Sequence, residues 1–184
     1  MGNWEVYKLH GFYNNKGISW VGKGIFASIN HINESFAGEL LPNNEIFYYS
    51  GIPFKFPKTD SLDFDMLSFA EQRIDLPEGK YTKVAFLGFS TWGDYHDSIF
   101  VSYSDGFTQE IPFGFNDWQE FHSHNSEEAA KLVMNYYRLK EEQMNRKVKL
   151  ELRIIEVDSN RNLKSLVLPD NDYSYILSLS LLKS

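Results

Sequence analysis

The central part of the chain, residues 73–118, carries the clearest hydrophobic pattern. Val84–Phe89 is apolar on both of its alternating faces. Such a run is typical of a β-strand that is covered on both sides. The run is short and follows a turn signal, Pro77-Glu78-Gly79, so a strand is favoured over a buried helix.

The next segment predicts a β-hairpin. Apolar residues alternate with serines over residues 98–104, and an Asp-Gly pair follows. A two-residue loop would place Tyr103 opposite Thr108, whereas a three-residue loop pairs Tyr103 with Phe107. A slip of one residue moves every side chain to the other face, so the hydrophobic pattern favours the three-residue loop. We therefore predict a left-handed Gly106 in a bulge.

Short patterned segments separated by turn residues continue along the chain. Val148–Val157 alternates and predicts a strand, while residues 36–42 are predicted to be irregular and residues 58–65 to be a polar, acidic connection. Many short strands with frequent turns are typical of an antiparallel sandwich. The length of 184 residues predicts a single β-sandwich domain over residues 1–184.

One segment, residues 125–145, is ambiguous. Asn125 and Glu128 have the spacing of a helix N-terminus, and the apolar residues that follow have helical spacing. The stretch Lys131–Leu139 fits a strand equally well. The pattern thus predicts at most one short helix in the chain and leaves helix and strand open here.

Composition excludes several functions. The net charge is -7, which argues against nucleic acid or an anionic membrane as a partner. The chain contains no cysteine, so it forms neither disulfides nor thiolate metal sites. It shows no membrane-spanning window and no signal peptide. We expect a cytoplasmic protein, although a domain cut from a secreted chain would look the same, and nothing indicates an oligomeric state.

The loop after Val84–Phe89 contains the best candidate for a binding site. It combines flat aromatic side chains with polar groups, the mixture that sugars require for their C–H faces and hydroxyls. The candidate ligand contacts are Trp92, Asp94, Tyr95, His96, Asp97 and Trp118. The alternative is structural: Trp92 would plug the end of the sandwich, and Trp118 would cap the core.

A second candidate is a metal site at His122-Ser-His124. Two histidines two residues apart on a strand point to one face and can share a metal ion. With Glu128, the segment resembles the first metal motif of cupins, which implies a small metal-dependent enzyme. The glycines that frame the cupin motif are absent, and the alternative is a solvated polar loop.

Acidic clusters offer oxygen ligands for Ca²⁺ but follow no known motif. Asp60, Asp63 and Asp65 form one cluster, and Asp170 and Asp172 form another. Neither has the EF-hand spacing, so the default interpretation is solubilising loop charge and no cofactor is predicted. No catalytic residue is predicted, because the chain lacks a Gly-x-Ser-x-Gly elbow and a cysteine nucleophile.

Several short sequence segments, taken in their order along the chain, resemble those of a known family. They are FYNNKGIS, ELLP with GIPFKFP, RIDLPEGKYTKVAFLGF, VSYSDG, NDW and LKSLVLPDN, across roughly residues 10–182. The set resembles the galactose-binding-like jelly-roll modules that lie beside catalytic domains in bacterial glycoside hydrolases. The resemblance implies an all-β, antiparallel two-sheet jelly-roll sandwich, favours a strand at Lys131–Leu139, and implies a non-catalytic carbohydrate-binding or accessory role.

Overall fold

The computed structural model describes residues 2–119, 132–138 and 143–184, with the backbone alone for 132–138 and 143–147. The described chain consists of strands, turns and two 3-10 turns, Val21–Lys23 and Gly38–Leu40. No helix in these ranges is long and apolar enough to cross a membrane. The strands are β1 (Trp4–Tyr7), β2 (Ile18–Ser19), β3 (Glu34–Ala37), β4 (Ile46–Tyr49), β5 (Ile52–Lys55), β6 (Leu67–Ser68), β7 (Arg73–Gly79), β8 (Tyr81–Ser90), β9 (Asp97–Tyr103), β10 (Thr108–Phe113), β11 (Leu132–Arg138), β12 (Gln143–Glu156), β13 (Leu163–Val167) and β14 (Ser174–Lys183).

All of these strands except β4 and β5 form a sandwich of two sheets. The large sheet has the order β1-β14-β8-β12-β11-β3-β2, with β6 also paired to β14, and the small sheet has the order β10-β9-β13-β7. Pairing is antiparallel except between β2 and β3. From β7 to β14 the chain passes repeatedly from one sheet to the other. The predicted all-β, two-sheet sandwich is confirmed.

The main core lies between the two sheets. Val84 and Phe86 of β8 pack against Ile99 and Val101 of β9, and all four side chains are fully buried. Phe113 of β10 completes this layer, with its ring centroid 4.8 Å from that of Phe86. Full burial of a side chain of this size contributes about 1.5–3 kcal/mol, so this layer fixes the two sheets face to face.

The β4–β5 hairpin covers the outer face of the large sheet. Ala85 and Leu87 of β8 lie in a second buried cluster with Ile52 and Phe54 of the hairpin. The Ser178 hydroxyl of β14 donates a hydrogen bond of 3.0 Å to the hairpin backbone. The prediction that the Val84–Phe89 run is covered on both sides is therefore confirmed.

The β9–β10 hairpin has the predicted register. The amide of Tyr103 donates to the carbonyl of Phe107 at 2.9 Å, and Ile111 lies opposite Ile99. Gly106 has a φ of 88°, the left-handed conformation that glycine adopts without steric cost. The hydrophobic pattern, rather than the Asp-Gly pair alone, selected the correct loop.

Both outer strands of the small sheet contain a proline. Pro77 lies in β7 and Pro112 in β10. Proline within a strand is tolerated at a sheet edge, where its missing N–H faces solvent. Arg73 and Asp75 add exposed charge to β7.

The ambiguous segment is a strand where the structure describes it. Residues 132–138 form β11, which pairs with both β12 and β3. The helix alternative is therefore wrong over residues 132–138, because the backbone groups of this segment pair with two neighbouring strands. Residues 120–131 and 139–142, with the candidate metal ligands His122, His124 and Glu128, lie outside the described residues.

Candidate ligand pocket at the Trp92 loop

The loop between β8 and β9 holds Trp92 in an unusual backbone conformation. Trp92 has a φ of 69° and Gly93 a φ of 139°. The left-handed region costs a non-glycine residue about 1–2 kcal/mol, so surrounding contacts must hold Trp92 there. Residues kept in such conformations cluster at functional sites.

Two aspartates clamp this loop to the segment that follows β10. The amide of Gly93 donates to Oδ2 of Asp117 at 2.7 Å, and the amide of Asp117 donates to Oδ1 of Asp94 at 2.7 Å. The Ser90 hydroxyl donates to the Gly93 carbonyl at 2.6 Å. These hydrogen bonds fix the loop backbone and thereby the direction of the indole.

A tight turn at residues 30–33 lies against the indole. The side chain of Asn30 accepts a hydrogen bond from the amide of Glu34, and Asn33 is left-handed with a φ of 62°. The turn places the imidazole of His31 flat against Trp92, with centroids 4.9 Å apart and planes 10° apart. One face of the indole is thus covered, yet 49% of the Trp92 surface remains exposed.

Between the turn and the loop is a pocket of about 210 Å³, which we call the Trp92 pocket. This volume is smaller than the roughly 300–1,000 Å³ of sites for drug-sized ligands, so it suits a single small ring. It is lined by Asn30, Ile32, Glu34, Thr91, Trp92, Asp117, Trp118 and Gln119.

Glu34 supplies a buried carboxylate to the pocket wall. Only 2% of its surface is exposed. Its Oε2 atom accepts hydrogen bonds from the side-chain amides of Asn30 at 2.9 Å and Gln119 at 3.2 Å. These donors are neutral, and no ion pair joins Glu34 to a cation within the described residues. A buried carboxylate satisfied only by amides is well suited to accept further hydrogen bonds from a ligand.

Thr91 adds an unpartnered hydroxyl. The residue is 1% exposed, and its Oγ1 atom has no hydrogen-bond partner among the described residues. Leaving a buried hydroxyl unsatisfied costs about 1–3 kcal/mol. Thr91 is one of the residues that line the Trp92 pocket.

The sequence of this chain matches a known protein family. The model of the family described as AziU2-like beta-sandwich domain matches residues 5–184. The chain belongs to this family. The match supports the β-sandwich part of the predicted resemblance, and the likeness to galactose-binding-like accessory modules stays a prediction. A comparison with curated proteins gave no significant match.

This AziU2-like domain brings two of the six predicted contacts to the pocket, Trp92 and Trp118. Trp118 is 1% exposed and packs in the core beside Phe36 and Phe89, so it forms a wall of the pocket rather than an open platform. This is the core-capping position proposed as its alternative role. Trp92, by contrast, does not plug the sandwich.

The other four predicted contacts lie outside the pocket lining. Asp94 holds the amide of Asp117, while Tyr95 stacks on Tyr173 with centroids 5.7 Å apart. His96 and Asp97 are exposed. Their predicted contacts with a ligand therefore stay predictions, and the structure gives Asp94 a role in shaping the loop.

Among the pocket residues that the sequence analysis did not propose as contacts are Asn30, Glu34 and Gln119. They lie about 60 residues before the Trp92 loop or directly after Trp118. The Asn-His-Ile-Asn sequence of residues 30–33 is a usable turn signal in retrospect, because asparagine tolerates the left-handed conformation. Nothing local indicates that this turn meets Trp92.

The first acidic cluster contains ion pairs in this AziU2-like domain. Asp65 is buried and paired with Lys16, and Asp60 is paired with Lys23 at 2.7 Å. Within the described residues, no three histidine, aspartate or glutamate side chains come together as a metal site. The interpretation of Asp65 as solubilising loop charge is wrong, because its side chain is fully buried.

Proposed function

We propose that this domain is a non-catalytic binding module that holds a carbohydrate, or another small hydroxyl-rich molecule, in the Trp92 pocket. The observation that carries the proposal is the half-exposed Trp92 indole beside a buried carboxylate and an unpartnered buried hydroxyl. A sugar ring offers C–H groups to an aromatic face and hydroxyls to both oxygen-bearing side chains. The pocket is large enough for one such ring.

The carboxylates of the pocket support binding rather than catalysis. Glycoside hydrolysis requires two carboxyl groups that are both available to the scissile bond. Both oxygens of Asp117 already accept backbone N–H groups, from Gly93 at 2.7 Å and from Gln119 at 2.8 Å. Asp117 therefore holds the loop. Glu34, which accepts hydrogen bonds from the side-chain amides of Asn30 and Gln119, is the other carboxylate of the described pocket lining.

We expect Trp92→Ala to reduce sugar binding with little effect on stability. Trp92 is exposed and lies in a loop, so the change in free energy of unfolding should stay within about 0.5 kcal/mol. Loss of the stacking face should weaken binding about tenfold, which corresponds to ~1.4 kcal/mol. Titrations with galactose and glucose, followed by NMR, measure the affinity, and thermal melts measure the stability.

The matched control is Tyr48→Ala. Tyr48 is an aromatic residue of β4 with 72% exposure and lies outside the pocket lining. This variant should keep the affinity of the wild type.

Cyclohexanol, a ring of similar size with one hydroxyl, should bind far more weakly than either sugar. Equal weakening by both substitutions, or equal binding of cyclohexanol, would remove the basis for a sugar site.

Thr91→Val tests the unpartnered hydroxyl separately. Valine has nearly the shape of threonine, and removing an unsatisfied buried hydroxyl should leave stability unchanged or raise it by about 1 kcal/mol. The same change should lower sugar affinity by about 2- to 12-fold, the value of one hydrogen bond. Calorimetric titration and chemical denaturation give the two quantities. A destabilised variant would show that the hydroxyl has a partner within the protein.

A further inference from the structure

A second cleft lies away from the Trp92 pocket, where the chain around β1 approaches the end of β5. Its volume is about 370 Å³, within the usual range of roughly 300–1,000 Å³ for small-molecule sites. We call it the lysine cleft. The lining residues used below are Lys8, His10, Lys55, Lys58, Asp63 and Phe64. None of them lines the Trp92 pocket.

The cleft concentrates positive charge on an acidic protein. The chain has a net charge of -7, yet three lysines and a histidine line this cleft with one aspartate, Asp63. Within the described residues, Lys8, Lys55 and Lys58 form no ion pair, whereas Lys16 and Lys23 do. Unpaired ammonium groups brought together repel one another, and an anion between them relieves that repulsion.

Two acids close in sequence to the cleft lining are already paired with other lysines. Asp60 is paired with Lys23, and the pKa of Asp60 is lowered first by that hydrogen bond and further by the charge of Lys58. Asp65 is paired with Lys16 in the interior. Lys55 donates to the backbone carbonyl of Asn44, which holds its ammonium group in place without neutralising it.

An aromatic surface lies beside these charges. Phe64 is 57% exposed, and Phe56 and Pro57 are buried in the cleft wall. Exposure of a phenylalanine next to a concave apolar wall is typical of a ligand-binding groove. The cleft therefore pairs a flat apolar region with a cationic region.

We propose that the lysine cleft binds a small organic anion, with its carboxylate or phosphate held by the lysines and its planar apolar part against Phe64. The lysines act as point charges on flexible stems and accept either anionic group. The proposal does not depend on the sugar site, because the two pockets share no lining residue.

The test is an NMR titration of the full chain with four probes. Phenyl phosphate and phenylacetate should shift the amide signals of residues 8–10, 55, 56, 58, 63 and 64. Phenol, which lacks the charge, and inorganic phosphate, which lacks the ring, should each bind at least about tenfold more weakly than phenyl phosphate. The affinities of phenyl phosphate and phenylacetate, compared with each other, show whether the cleft prefers phosphate or carboxylate.

Two double variants test whether the lysines of the cleft bind the anion. The double variant Lys8→Gln/Lys58→Gln should weaken phenyl phosphate binding at least about tenfold, since it removes two positive charges close to the anion. Lys80→Gln/Lys164→Gln, which removes two exposed lysines outside the cleft lining, should leave the affinity unchanged. All four lysines are exposed, so both variants should fold, and a thermal melt checks this.

Four results would overturn the proposal. Equal weakening by both double variants would show a general charge effect. Phenol binding as tightly as phenyl phosphate would make the site purely apolar, and inorganic phosphate binding as tightly would remove the role of Phe64. Signal shifts confined to the Trp92 pocket would place the anion there instead.

Discussion

Trp118→Ala should lower the free energy of unfolding by about 3–5 kcal/mol, the cost of deleting a large aromatic side chain from a core. Trp118 is 1% exposed, with its ring centroid 5.0 Å from that of Phe36 and 5.4 Å from that of Phe89. Its backbone also joins two strands, since its amide donates to Ser90 and its carbonyl accepts from Lys149, both at 2.9 Å. The cavity left by the indole cannot close without moving these strands.

Chemical denaturation and thermal melts measure this effect. For a chain of this length, about 3–5 kcal/mol corresponds to a fall in Tm of roughly 6–20 °C. Trp118→Phe, which keeps an aromatic ring, should cost clearly less, and Trp92→Ala serves as the exposed-tryptophan control. A loss below about 1 kcal/mol for Trp118→Ala would show that its side chain does not belong to the core.

The second large effect that we expect on the free energy of unfolding comes from the buried ion pair of Asp65 and Lys16. Asp65 is fully buried and accepts hydrogen bonds from the Lys16 ammonium and from the amide of Gly17, the latter at 2.8 Å. Burial raises the pKa of Asp65 to about 6, although Lys16 and the Gly17 amide oppose the shift. Desolvation of the carboxylate therefore outweighs the attraction of its partner.

We expect the free energy of unfolding of the wild type to fall, relative to Asp65→Asn, as the pH rises from about 4 to 7. The pKa of Asp65 is higher in the folded protein than the ordinary value of 3.8 for an aspartate, so the folded state binds the proton more tightly. The resulting stabilisation is complete below about pH 4 and is lost as the pH passes 6. A shift of about two units corresponds to roughly 3 kcal/mol.

The measurement is a series of urea denaturation curves for both proteins between pH 4 and 8. Taking their difference removes the contributions of the other carboxylates, which the two proteins share. Asparagine keeps the shape of the side chain and cannot titrate. A difference that stays constant, or that rises with pH, would mean that Lys16 and Gly17 keep Asp65 charged throughout and that their attraction outweighs burial.

The sequence predicted the parts of the fold that are encoded locally. The two-sided apolar run of β8 and the register of the β9–β10 hairpin follow from side-chain alternation within a few residues. Strand β3 was missed because Glu34 and Ser35 are polar yet buried, which breaks the alternation rule. Its position depends on pairing with β2 and β11, and that pairing joins distant parts of the chain.

For the candidate site, too, the sequence predicted the local features and not the contacts between distant segments. The sequence located the Trp92 loop, because aromatic and polar residues follow a core strand there. It could not decide which tryptophan is buried, since Trp92 and Trp118 both lie outside strands next to aspartates or glycines. Nor could it show that Asp65 meets Lys16, 49 residues earlier, or that Glu34 reaches the indole loop. Such contacts join segments that are far apart in the sequence and meet only in the folded chain.

The prolines of the small sheet have a consequence for behaviour at high concentration. An open edge normally offers a row of backbone donors and acceptors onto which a strand of another molecule can add. Pro112 removes one such donor from β10 and Pro77 removes one from β7, while the charges of Arg73 and Asp75 disfavour close approach. Edge-to-edge self-association through the small sheet is thereby discouraged, which lets an aromatic-rich sandwich remain dispersed in a crowded solution.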